Sequence, residues 1–188
     1  MREKIICFFL FLYLPSVLPA QITDNSFREK SFTRLSGDYK IGGTGDVYFF
    51  TYNGGLGFSA ARGYRFSDRF SLAAEVSFEQ LKDANLLPLT LTAARHFGKK
   101  RKRFLQLHLG YAVGFTNGVY ENYSVGGGIA TGADYGFYLF KGEKMRLLAS
   151  FGYHFRRSRL TYRPFAGGSE IHDRLDNHFV SLRSGIEF

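Results

Sequence analysis

Residues 178–188 read HFVSLRSGIEF. Val180, Leu182, Ser184, Ile186 and Phe188 fall on one face of a strand, and Phe179, Ser181, Arg183, Gly185 and Glu187 on the other. Successive side chains of a strand point to opposite sides, so one face is mostly apolar and the other mostly polar or small. The stretch stops on an aromatic with no tail, whereas the ends of water-soluble domains tend to fray. Such an ending suits the closing strand of a barrel held in a membrane, and the rest of the chain carries the same pattern.

Leu105, Leu107, Leu109, Tyr111, Val113 and Phe115 alternate with Gln106, His108, Gly110, Ala112 and Gly114. Period-two stretches also run through residues 70–79, 132–139 and 147–156. Alternation over this length is the signature of a strand with two unlike faces. Leu87, Leu89, Leu91 and Ala93 predict a further strand, with Pro88 near its start, where a missing donor is tolerable. Another covers residues 56–66, where Arg62 interrupts the apolar face and a bulge is expected to turn it inward. The first strand is expected around residues 38–50, where Gly42, Gly43 and Gly45 blur the period. With the closing strand this predicts eight. The connections 67–68, 98–102 and 141–144 are short, while 117–126 and 161–176 are longer and richer in Gly, Asn and Tyr. Short turns are expected at one end of the barrel and long loops at the other.

The chain opens with Arg2, Glu3 and Lys4, an apolar run and Ala20 before Gln21, the pattern of a secretory signal peptide over residues 1–20. The apolar run is shorter than the roughly 20 residues that a membrane-spanning helix needs. Cys7, the only cysteine, lies within it, so the exported chain would have neither a disulfide nor a thiolate metal site. Removing residues 1–20 takes two of the 25 Lys+Arg and one of the 16 Asp+Glu, leaving a net charge of +8. A basic exported protein is expected to meet lipopolysaccharide phosphates or another anionic surface rather than nucleic acid. Residues 21–37 have no clear period and are expected to form a periplasmic arm, with the barrel domain over 38–188.

A soluble barrel also alternates, with its apolar side chains inside. Two features favour the membrane. The polar face is rich in small residues, including Ala73, Ser77, Gly110, Gly132, Gly136 and Gly152, which suit a crowded lumen. Lysine is nearly excluded from the expected strands, with Lys40 alone inside one and near its end. A lysine facing lipid at mid-membrane costs about 2–4 kcal/mol.

With these features the chain resembles the small eight-stranded outer-membrane barrels of the OmpA/OmpX type. Within the pattern, FSDRFSLAAEVSF (residues 66–78) resembles a hairpin common in that family, and VSLRSGIEF (residues 180–188) resembles its terminal strand. The resemblance implies an all-β, eight-stranded, antiparallel, up-and-down transmembrane barrel in the outer membrane. It also implies that Leu182, Ile186 and Phe188 form the signal read by the barrel-assembly machinery, although Ser184 departs from the usual apolar residue. It does not fix a function, because one fold hosts adhesins, enzymes and structural proteins.

Glu75, Glu79, His108, Asp134, His154, Arg156 and Arg183, with Glu187, are expected to face inward as a paired polar network filling the lumen. An ion path or proton-linked site is the alternative. A hydrolase would need a serine activated by a histidine. Ser150 and His154 lie four residues apart on one strand, about 13 Å at 3.3 Å per residue, beyond hydrogen-bonding reach. The family of lipid A 3-O-deacylases carries a His-x-Ser element, and here the matching place reads His154-Phe155-Arg156. Arg157, Arg159 and Arg163 are candidate lipopolysaccharide contacts, with solvated loop bases as the alternative. The basic run of residues 99–103 is expected to be a solvated turn. No Cys/His metal spacing and no phosphate-binding glycine loop is present, so no cofactor is expected. The expectation is a monomeric, non-enzymatic barrel with a structural or surface-binding role through residues 117–126 and 161–176. A lipid-A-modifying enzyme and a secreted ligand-binding barrel are the alternatives.

Overall fold

The computed structural model describes residues 30–45, 50–52, 54–81, 84–98, 102–115, 123–142, 145–162 and 170–188. The strands are β1 (Ser31–Gly45), β2 (Phe50–Tyr52), β3 (Gly55–Ser67), β4 (Phe70–Leu81), β5 (Asn85–Phe97), β6 (Arg103–Phe115), β7 (Tyr123–Gly126), β8 (Gly128–Lys141), β9 (Arg146–Tyr162) and β10 (Ile171–Glu187). The short β2 continues β3 along β1, and the short β7 continues β8 along β9. Eight antiparallel passes result. The ladder of β1 with β10, from Arg34 opposite Glu187 to Thr44 opposite Asn177, closes them into a barrel. Phe188 completes the seam, its backbone exchanging hydrogen bonds of 3.0 and 2.8 Å with Thr33.

The faces are inverted relative to a soluble domain. Leu91 (69 % exposed), Phe58 (67 %) and Leu109 (66 %) stand outside, whereas Lys40, Glu79, His154 and Arg156 are buried. An apolar outer surface on this scale is disfavoured in water and matches the lipid-facing band of a transmembrane barrel. Inside, polar side chains fill the middle. Leu81, Leu86, Ala112, Ala130 and Phe179 cover them on one side, and Phe104, Tyr138 and Leu148 on the other. Both chain segments Ser31 and Phe188 and the turns after β3, β5 and β8 lie at the same end, called here the turn end. Gly98 has φ of +83° in the turn after β5, a left-handed conformation that glycine adopts without strain.

Three expectations need correction. The first strand runs Ser31–Gly45, not 38–50, so residues 31–37 belong to the barrel and not to an arm. Its inward face carries Arg34, Ser36, Asp38 and Lys40, and its outward face mixes Thr33, Leu35, Gly37 and Tyr39. Neither face reads as apolar, which hid the period. Arg62 does not turn inward: it stays exposed and donates to Thr33 Oγ1 at 2.6 Å, and the bulge in this hairpin falls between Arg65 and Ser67 instead. Half of the expected loop 161–176 is strand, residues 161–162 and 171–176, because β9 and β10 stay paired up to Tyr162 opposite Ile171. The expected signal peptide lies outside the described residues.

Candidate functional site

The register of four strands builds the centre of the lumen. His108 of β6 stands opposite Gly132 of β8, which stands opposite His154 of β9. Gly132 makes room for both rings, since a Cβ there would sit 2.5 Å from His154 Nδ1. One row away, Asp134 lies between them. Its Oδ2 is 2.8 Å from His108 Nε2 and its Oδ1 is 2.9 Å from His154 Nε2. Ser181 donates to the same Oδ1 at 3.5 Å. Arg183 Nη1 lies 3.9 Å from Oδ2 and reaches Glu75 at 3.1 Å. Arg156 holds Glu79 through Nη2 at 2.8 Å and Nε at 3.2 Å, and Lys40 bridges Glu79 at 3.3 Å to Asp38. Charges this deep are tolerable only when so paired.

All seven inward candidates, Glu75, Glu79, His108, Asp134, His154, Arg156 and Arg183, therefore sit in the lumen, joined by Asp38, Lys40 and Ser181. Ligand atoms, one each from His108, Asp134 and His154, lie within 4.8 Å of one another, close enough to be considered for a metal ion. Sequence spacing missed this group because the three residues come from three strands. The fixed charge of Arg183 beside Asp134, and Arg156 Nη2 at 3.4 Å from His154 Nδ1, oppose a second cation there. The arrangement is that of an aspartate held by two imidazoles.

A second cluster occupies the turn end. Glu187 accepts Arg34 on Oε2, through Nη2 at 2.8 Å and Nε at 3.2 Å. Its Oε1 receives Arg65, Tyr138 Oη at 3.2 Å and Arg146 at 3.5 Å. Arg34 also donates to Gln106 at 2.6 Å, tying the cluster to the lumen.

At the opposite end the hairpin of β9 and β10 continues past the apolar band. Arg157 pairs with Asp176 through Nε at 2.8 Å and Nη2 at 3.1 Å, and lies over the Phe155 ring. That hydrogen bond holds the Asp176 carboxyl below the usual range. The pair therefore stabilises the hairpin above the ordinary carboxylate pKa, and this is lost as pH falls through the depressed value. Arg159 is exposed directly opposite Arg174. Arg163 and most of the expected loop 117–126 lie outside the described residues, while Tyr123–Gly126 form β7. Leu182, Ile186 and Phe188 all face outward in the apolar band.

A closed eight-stranded antiparallel barrel with an apolar exterior and a charged, packed interior defines a small outer-membrane β-barrel. The solved structures it is similar to include outer-membrane barrels. Neisserial surface protein A matches with a TM-score of 0.63 at 12% identity, covering 84% of this chain and 95% of that one. The outer membrane protein AlkL, solved in lipid bilayers, matches at 0.59 with 14% identity, covering 90% and 93%. OprG from Pseudomonas aeruginosa matches at 0.56 with 12% identity, covering 85% and 96%. No protein-family model matches the sequence. No curated protein matches it by sequence.

Proposed function

We propose that this chain is a non-enzymatic outer-membrane barrel whose role is structural or is surface binding by its projecting hairpin end. The observation that carries this reading is the contrast between its two halves. Lys40, Glu79, His154 and Ser181 at mid-lumen are fully buried, so among the described residues the middle of the barrel is filled by its own side chains. Ser181 donates to Asp134 rather than to a histidine, so the serine–histidine pair of a hydrolase is not formed there. The hairpin of β9 and β10, by contrast, stays paired up to Tyr162 opposite Ile171.

In this reading the turn end faces the periplasm, as short turns do in this class. Arg159 and Arg174, outward-facing above the Phe155 and His178 rings, contact lipopolysaccharide phosphates, for which arginine is suited. Residues 1–20 direct export. Leu182, Ile186 and Phe188 serve the barrel-assembly machinery, and the barrel works as a monomer. The double variant Arg159→Glu/Arg174→Glu is expected to lower lipopolysaccharide binding at least tenfold in a co-sedimentation assay while the barrel still folds. Unchanged binding would remove the phosphate contact from this reading. A mass change in lipid A incubated with the purified protein would replace it with an enzymatic one.

A further inference from the structure

Among the described residues, Arg65, Arg69, Lys102, Arg103, Lys141 and Arg146 gather at the turn end. The stretches 68–69, 99–103 and 141–146 contain nine Lys and Arg and two acids, a net charge of +7 out of +9 for the whole chain. The stretches 46–54, 82–84, 116–122 and 157–176 contain five bases and six acids. The described strand ends flanking the three basic stretches meet at the turn end. His96 N donates to Arg69 O, and Tyr138 N to Lys102 O, each at 2.7 Å.

A cleft of about 60 Å³ opens there, lined by Arg65, Asp68, His96, Tyr138, Lys141 and Arg146. Its volume is several times the roughly 10–15 Å³ that one water requires. Glu187 and Arg34 stand behind it. These eight residues bring four fixed cations and two carboxylates, an excess of two positive charges. The guanidinium groups are held in place. Arg65 lies 4.8 Å over the Phe32 ring and Arg146 5.9 Å over the Tyr138 ring, and both converge on Glu187 Oε1. Each guanidinium carries five N–H donors, so the contact with Glu187 leaves others for a ligand. Tyr138 and His96 stack at 6.0 Å and form the floor, and Ser71 holds the His96 ring at 3.1 Å.

We infer that this cleft binds a phosphate group, and specifically a soluble phosphate monoester. A monoester carries a charge near −2 at neutral pH, which matches the excess of two, whereas a diester carries one. Arg65, His96, Tyr138 and Arg146 face the lumen side of the wall, so the cleft opens on the barrel axis and away from the surrounding lipid headgroups. Arg69, Lys102 and Arg103 at the same end add to the field that draws an anion to the mouth. This site depends on the fold and not on the reading of the hairpin.

Calorimetric titration of the folded barrel in detergent tests it, with glycerol 3-phosphate as monoester, dimethyl phosphate as diester and phosphatidylglycerol-doped micelles as lipid source. Saturable binding of the monoester is expected, at least tenfold tighter than the diester. Arg65→Gln should weaken it at least tenfold, and Lys102→Gln, outside the cleft, by less than threefold. Arg146 is more exposed, and Arg146→Gln gives the same reading if Arg65→Gln does not fold. No saturable binding of the monoester would overturn the inference. So would equal binding of the diester or the doped micelles, or an equal loss in Lys102→Gln, which would show a diffuse field rather than a site.

Discussion

Glu79→Gln is expected to lower the stability of the barrel by about 3–5 kcal/mol, because it removes one partner from a buried ion network. Glu79 accepts Arg156 at 2.8 Å and faces Lys40 at 3.3 Å, and all three are fully buried. Without its charge, Lys40 keeps Asp38, while Arg156 loses the carboxylate it pairs with. Water cannot enter to compensate, since the packed lumen excludes it. Ser59→Ala removes only the 2.7 Å hydrogen bond to Ser36 and should cost about 1 kcal/mol. Urea unfolding of both variants in lipid vesicles, followed by heat-modifiable gel migration, measures the difference. A Glu79→Gln barrel within 1 kcal/mol of the parent would mean that the lumen is wet enough to solvate those cations.

Leu109→Arg is the second large effect. Leu109 lies midway along β6 on the outer face and is 66 % exposed. On the surface of a water-soluble protein such a change is worth no more than about 0.5 kcal/mol. At the bilayer midplane it costs about 2–4 kcal/mol. Leu91→Arg should behave alike, because Leu91 is the cross-strand partner of Leu109 and shares its depth. Unfolding in vesicles and in detergent should both show the loss. A neutral outcome for both variants would contradict a lipid-facing band.

How far the sequence disclosed this molecule differs by element. The outward leucines of β5 and β6 and the apolar face of residues 178–188 were readable, because period-two alternation is a local property. Strand β1 was not. Its inward Arg34, Asp38 and Lys40 have no apolar counterpart row, and their partners Glu187, Glu79 and Gln106 lie far along the chain. The inward side of His108, Asp134 and His154 was visible, but their convergence was not. It depends on β6, β8 and β9 pairing so that Gly132 separates the two rings. The run 99–103 was conspicuous alone, yet its meaning changes once three turns and Glu187 share one end. The hairpin of β9 and β10 reads as a loop in the sequence because Asp173, Arg174, Asp176 and Asn177 mask strand alternation.

The central claim is that the outer face of the strands meets lipid and the inner face a closed polar core. Single cysteines placed at residues 105–111 of a Cys7→Ser chain, labelled with bimane and reconstituted in vesicles containing brominated lipid, test it most directly. Strong quenching is expected at Leu105, Leu107, Leu109 and Tyr111, while cysteines at Gln106 and His108, enclosed in the packed lumen, are expected to stay unlabelled in the folded barrel. Uniform quenching, or the opposite alternation, would contradict the account.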